Sequence, residues 1–333
     1  MQLGDHQTAH YNRHNGALSL THASLRKSLI VGLAAVVVVA IAGCRAGTSQ
    51  DPAAMDVEAA TRESEAWRAK HETDYRREWV TIAGLHFIEP GSHSAGSAPS
   101  NEIVLPPPAP SVLGRFVLDG DVVRFEPQSG SMVSLNGKPV TAPTALIDDG
   151  AAKADELAVG DIRIVVHRSG ERKSLRIWDP DGEQARGFLG FTWFPIQMDD
   201  RVTGRFIPDA TPREMQVVNT FGDLDTYKTE GVVEFTLRGQ TLRLRPFTTR
   251  PKRFYFVFRD ASSGQETYAA ARFLYSDLRD DGTTVLDFNQ AYNPPCAFNP
   301  FTTCPIPLPE NRLGVKILAG ERAYPAHPVL PPS

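Results

Sequence analysis

The chain changes its hydrophobic period twice along its length. Residues 28–43, SLIVGLAAVVVVAIAG, form one apolar run without a charge, and Arg26 and Lys27 stand just before it. That run is short for a bilayer span and has the length of a signal-peptide core. From Asp56 to about Trp79 the spacing turns helical. Val57, Ala60, Trp67, Tyr75 and Trp79 recur among many charges, with no glycine or proline between them. The pattern predicts one amphipathic helix that rests Trp67 and its neighbours on a larger body.

Beyond the helix the period is two. Strand-like runs occur at Trp79–Phe87, Arg115–Leu118, Asp121–Phe125, Ser131–Leu135, Ile162–His167 and Ser174–Trp178, with Gly, Pro and Asn-Gly between them. Asn136-Gly137 in SLNGKPV supplies the positive φ of a two-residue hairpin turn. In VVEFTLRGQTLRLRPF, Val233, Phe235 and Leu237 face one way and Leu242 and Leu244 follow suit, while Arg243 and Arg245 point to the other side. RFYFVFRD and ETYAAARFLYSD add further strands. The fold class expected is mainly β, an antiparallel body of sandwich or barrel type with one N-terminal amphipathic helix. Apolar density drops over 208–231, so 56–323 reads either as two β-subdomains, roughly 80–205 and 206–323, or as one continuous sheet system. The proline-rich residues 324–333 read as an unfolded tail.

Composition changes this picture little. The formal net charge of −4 over 333 residues gives no basic footprint for nucleic acid. The end of the apolar run changes it more. Ile41-Ala42-Gly43-Cys44 resembles the lipobox of bacterial lipoproteins, in which the cysteine becomes N-terminal and carries the lipid. The resemblance implies a signal peptide at 1–43, lipidation at Cys44 and a tether at 44–55. It also implies a periplasm-facing protein of the cell envelope, held at the membrane through that lipid. Arg45 rather than Asp follows the cysteine, which leans the expectation to the outer membrane. The competing reading is a single membrane anchor.

With Cys44 acylated, Cys296 and Cys304 are the remaining pair, and an even pair in an envelope compartment is a disulfide candidate. A zinc site needs further ligands at closer spacing, so neither metal nor cofactor is expected. The His residues beyond the leader, His86, His93 and His167 among them, read as structural. No Gly-x-Ser-x-Gly elbow, phosphate loop, dinucleotide fingerprint or His-Glu-x-x-His is present. The stretch 286–312 instead gathers Asp287, Asn289, Tyr292, Asn293, Glu310, Asn311 and Arg312, and Tyr268 and Arg272 share a strand face if that segment is extended. They are read as lining a polar pocket for a small or polymeric envelope ligand. The alternative is a hydrolase in which Asp287 or Glu310 acts as acid or base and Arg272 or Arg312 stabilises negative charge. The basic run Arg238, Arg243, Arg245, Arg250, Lys252, Arg253 and Arg259 reads as a solvated face matched by acids, or as a site for anionic headgroups or wall polymers.

TYAAARFLY, LDFNQAYNPPCAF, TCPIPLPENRL and ILAGE closely resemble the signature of the bacterial family known as domain of unknown function 1684. WVTIAGLHFIEPGSHSAG, NEIVLP, SLRIWDP and FLGFTWFP are similar to its earlier blocks, so the resemblance spans about 67–323. It implies a mostly β domain and carries no activity with it. It marks Tyr268, Arg272, Asp287, Asn289, Tyr292, Asn293, Cys296, Cys304, Glu310, Asn311, Arg312 and Glu321 as characteristic without giving them roles. Gly84-Leu85-His86-Phe87-Ile88 departs from the family's usual Gly-Leu-x-Trp-Leu. A weaker likeness, of residues 134–168 to forkhead-associated sandwiches, supports a β-sandwich half and no phosphothreonine site.

Overall fold

The computed structural model describes residues 56–107 and 109–325. The apolar run 28–43, Cys44, the tether and residues 326–333 lie outside them. Helix α1 (Val57–Tyr75) begins at Asp56, whose carboxylate accepts the Ala59 N–H at 3.0 Å. Its buried face carries Ala60, Ser64, His71 and Tyr75. It widens into a π turn, Arg76–Val80, that carries Trp79 onto the body. Among the described residues no helix is long and apolar enough to cross a membrane.

The N-terminal strands are β1 (Ile82–Ile88), β2 (Gly91–Gly96), β3 (Ile103–Val104), β4 (Gly114–Asp119), β5 (Val122–Pro127), β6 (Ser134–Leu135), β7 (Lys138–Pro139), β8 (Thr144–Leu146), β9 (Leu157–Val159), β10 (Ile162–Ser169) and β11 (Arg172–Trp178). They form two sheets, β1-β11-β10-β9-β6-β7 and β3-β2-β4-β5-β8. All pairings are antiparallel except the short β2–β3 contact. The two sheets close on one core that includes Phe116, Phe125, Ile162, Ile164, Leu175 and Ile177. The β6–β7 hairpin turns at Asn136 (φ 51) and Gly137 (φ 78), as the Asn-Gly pair predicts.

The C-terminal strands are β12 (Arg201–Val218), β13 (Leu224–Leu237), β14 (Gln240–Leu244), β15 (Phe247–Arg250), β16 (Arg253–Phe258), β17 (Arg272–Asp277) and β18 (Thr283–Asp287). They make a second pair of sheets, β14-β13-β12-β18 and β15-β16-β17. Neither pair closes into a barrel. Side chains of β16 alternate between two cores: Phe254, Phe256 and Phe258 enter the sandwich interior, while Tyr255 and Val257 face α1 and the N-terminal half. The drop in apolar density over 208–231 is the β12–β13 hairpin, largely exposed but burying Val217, Tyr227 and Thr229, and residues 205 and 206 both lie inside β12. The extended segment expected from ETYAAARFLYSD begins only at Arg272, so Tyr268 sits in the preceding loop and shares no strand face with it. Tyr324, expected in the tail, stacks on Phe188 with ring centroids 5.6 Å apart.

Candidate functional site

The polar residues singled out in the sequence divide by what they touch. Arg272 is fully buried; its Nη1 donates to Asp260 at 2.8 Å and to the Ile317 carbonyl at 3.0 Å, and its Nη2 to the Ala319 carbonyl. Asp287 accepts from Ser64 at 2.7 Å and Arg201 at 2.6 Å, which ties α1 to the C-terminal sandwich. Asn289 exchanges bonds with the Gln197 backbone. Asn293 donates to Glu321 and to the Arg322 carbonyl. Asn311 joins the Arg245 N–H and carbonyl to the Val257 carbonyl. Tyr268 is buried with its hydroxyl on the Cys296 carbonyl at 3.3 Å. Glu310 and Arg312 are on the surface, Glu310 paired with Arg245 at 2.5 Å. These groups staple loops to strands. Of the basic run, Arg238, Arg243, Arg245, Lys252 and Arg253 each meet an acid.

The expected disulfide is absent. Cys296 and Cys304 are free and buried, and the Cys296 N–H points at Cys304 Sγ at 3.4 Å. Burial and the hydrogen bond that the Cys296 thiol gives to Cys304 push Cys296 up. Burial opposes ionisation of Cys304 too, but that bond, the Cys296 N–H and the nearby Arg176 outweigh it and bring Cys304 down. The two cysteines are thus joined through the Cys296 N–H and Cys304 Sγ, with no covalent bond between them.

A cavity of about 230 Å³ opens where the two sandwiches meet. Tyr292, Thr303 and Cys304 of the proline-rich stretch reach it; Asp287, Asn289, Asn293, Glu310 and Asn311 do not. The wall from the N-terminal sandwich is polar. β10 carries His167 and β11 carries Arg176 on the face turned away from that sandwich's core, and Asp149 comes from the loop after β8. His167 Nδ1 lies 2.6 Å from Asp149, and Nε2 lies 2.8 Å from Thr303 Oγ1 and 2.9 Å from Arg176 Nη2. Arg176 also stands 3.5 Å from Asp149 and over the Trp79 ring. Burial, then the Arg176 charge, lowers His167 below its ordinary value, against the pull of Asp149. Burial works against the ionised form of Asp149, yet the imidazole, the guanidinium and the Arg168 N–H hold it below the usual carboxylate range.

The opposite wall is aromatic. Tyr227 from β13, Tyr255 from β16, Phe273 and Tyr275 from β17 and Tyr292 line it. Tyr227, Tyr255 and Tyr292 are at most 7% exposed, and none of their hydroxyls has a hydrogen-bond partner among the described residues. Burial, reinforced by neighbouring phenols or acids, raises all three, so they remain donors. Thr303 is held in register because the Thr220 hydroxyl bonds the Thr302 carbonyl at 3.0 Å and the Cys304 N–H at 3.1 Å. His167, Arg176, Asp149 and Thr303 were not singled out from the sequence as site residues. The available signal was Arg176 itself, a charge embedded in the apolar run of β11.

No curated protein matches the chain. The solution NMR structure of an uncharacterized protein from Haloarcula marismortui is 30% identical over 44% of this chain and 82% of its own, with a TM-score of 0.37. A chain of the crystal structure of the FhaA FHA domain complexed with the intracellular domain of Rv3910 is 15% identical over 28% of this chain and 96% of its own, with a TM-score of 0.20. The family model described as "Protein of unknown function (DUF1684)" matches residues 186–322, which hold β12–β18, Thr303 and the whole aromatic wall but not Asp149, His167 or Arg176. Through that segment the chain belongs to the DUF1684 family.

Proposed function

We propose that the protein binds a small molecule in the cavity between its sandwiches, one with an apolar or aromatic body and a carbonyl or carboxylate head. One observation carries this reading: the hydroxyls of three buried tyrosines, none with a hydrogen-bond partner among the described residues, line the same cavity as the buried Arg176. Donors that reach a cavity and are committed to no protein acceptor are available to an incoming molecule. All four groups donate, which asks for acceptor oxygens, and the rings around them suit an apolar body. At about 230 Å³ the space suits a small ligand better than a polymer.

Benzoate, phenylacetate and benzyl alcohol, titrated into the full-length chain and followed by thermal melting, separate head from body. The two carboxylates raise the melting temperature and the alcohol does not, and Arg176→Gln or Tyr255→Phe removes the shift. If none of the three compounds moves the melting temperature, the reading fails.

The protein's place is proposed to be the cell envelope, anchored through lipid on Cys44 and facing the periplasm. The apolar run 28–43 and the Ile41–Cys44 tetrapeptide support this. Cys44→Ser should leave the precursor uncleaved or release it from the membrane fraction. Unchanged processing and partition would overturn it.

A further inference from the structure

Hydroxyl, imidazole and carboxylate line up along one wall of the cavity, each from a different segment: Thr303 Oγ1 to His167 Nε2 at 2.8 Å, and His167 Nδ1 to Asp149 at 2.6 Å. Arg176 fixes the direction of this chain. A guanidinium only donates, and Arg176 Nη2 is 2.9 Å from Nε2, so Nε2 is the unprotonated nitrogen and Nδ1 carries the hydrogen that Asp149 accepts. The lone pair of the base is therefore on Nε2, within reach of both the Arg176 N–H and the Thr303 hydroxyl. This is the order that an activated nucleophile, its base and an orienting carboxylate require.

We propose that this cavity hydrolyses small carboxylic esters, with Thr303 as nucleophile and His167 as general base and then general acid. Asp149 is a positioning residue, and Arg176 with the tyrosine hydroxyls donates to the oxyanion. The proposal rests on the binding reading of the same cavity and adds turnover to it. Thr303 Oγ1 bonds to the ester carbonyl carbon, its proton passes to His167 Nε2, and the carbonyl π electrons move onto oxygen. Collapse breaks the bond to the alkoxy oxygen, which leaves as an alcohol with the proton from Nε2. Water then attacks the acyl-Thr303 carbonyl and gives a proton to Nε2. The second collapse releases the carboxylic acid and returns that proton to Thr303. The sum is ester plus water to acid plus alcohol, with no other reactant.

Arg176 couples binding to this step. In the empty cavity its Nη2 shares the Nε2 lone pair with Thr303 and lies 3.4 Å from Thr303 Oγ1. A carbonyl oxygen that draws Nη2 away leaves that lone pair to the Thr303 proton. The cavity also holds a competitor, because Cys304 follows Thr303 directly and lines the same space. The charged groups facing His167 are Arg176 from β11, Asp149 from the loop after β8, and Asp223 and Asp225 at the start of β13. Burial and Arg176 lower the imidazole, so the base stays unprotonated into mildly acidic solution.

The test is a burst experiment with p-nitrophenyl acetate on the full-length chain, followed by peptide mass mapping. The expected result is stoichiometric nitrophenol release, an acetyl group on Thr303, and a rate that rises with pH through a pKa below about 6.5, the ordinary histidine value. Thr303→Val replaces the hydroxyl with a methyl group of similar size and should abolish both burst and label. His167→Asn should cost at least about 100-fold. Asp149→Asn should lower kcat with little change in KM and move the acidic limb. Acetyl on Cys304 instead of Thr303, or a burst that survives Thr303→Val, overturns the assignment. Benzoate binding without any burst overturns turnover while leaving the pocket reading intact; loss of both strikes that reading as well.

Discussion

Arg272 and Arg176 are two buried arginines, each carried by a strand and each with Nε unpartnered, yet they serve opposite ends. Arg272 donates to a carboxylate and to two backbone carbonyls, and its partner Asp260 is itself held by the Ser262 and Ile317 N–H groups. Backbone closes over it at Gly320, so nothing there can exchange partners. Arg176 instead meets an imidazole and a hydroxyl that can exchange protons, and the space before it is open. Burial and charge are alike in the two places. What separates a staple from a site is whether the acceptors are committed to backbone or free to change.

The largest effect should come from breaking the staple. Arg272→Ala leaves Asp260 as an unpaired buried charge and should cost about 3–5 kcal/mol in denaturant unfolding. Arg176→Ala should cost clearly less, since Asp149 keeps His167 and the Arg168 N–H; equal losses would erase the distinction. Next is the lid over Arg272. Gly320 has φ +76, and a Cβ there would sit 2.2 Å from the Ala291 carbonyl oxygen. Gly320→Ala is therefore expected to cost about 3 kcal/mol, and a melting temperature at the wild-type value would show that the loop can give way.

Third, Asn311→Ala strips partners from buried backbone groups of Arg245 and Val257 and should cost about 2 kcal/mol without touching ligand binding.

The fourth effect depends on pH. Burial raises Glu321 to about 8, against the donors of Asn293 and the Arg272 charge. The native state keeps a proton that the unfolded chain releases near its ordinary value of 4.5, so stability falls as pH rises from 4.5 to about 8. Glu321→Gln should remove that decline, worth about 2 kcal/mol between pH 6 and 8. His71 acts in the other direction. Burial among Trp67, Tyr75 and Tyr292 lowers it to about 3, so the unfolded chain takes up a proton below 6.5 that the native state refuses. Stability then falls as pH drops from 6.5 toward 3. Stability measured from pH 3 to 9 on wild type and Glu321→Gln checks both slopes.

The smallest effect sits at the open site. Tyr255→Phe deletes a hydroxyl with no hydrogen-bond partner among the described residues and should stay within about 0.5 kcal/mol of wild type while benzoate binding weakens. A larger loss of stability would make the aromatic wall structural.

Much of the fold was legible because its signals are local. The helix start at Asp56, the Asn136-Gly137 turn and the alternation of Val233, Phe235 and Leu237 each act over a few residues, and each was realised in the structure. The site was not legible for the same reason. Tyr292 was noticed because it stands in a dense polar stretch, whereas His167 read as structural and Thr303 drew no reading at all. Asp287 and Asn311 were polar and conspicuous, but their work is to hold α1 and β16 in place.

Sequence alone determined helix α1, the Asn136-Gly137 hairpin, the alternating strands it named, the mainly β character and the DUF1684 signature, because periodicity and turn chemistry are written in neighbouring residues. Only the tertiary structure decided which polar groups are spent and which stay open. The outer face of β10 and β11 is covered by a loop more than a hundred residues later in the chain, and that covering brings Thr303 to His167. It also left Cys296 and Cys304 as free buried thiols, the Cys296 N–H on Cys304 Sγ, rather than a disulfide. Partner saturation is a property of packing in space, and no spacing along the chain encodes it.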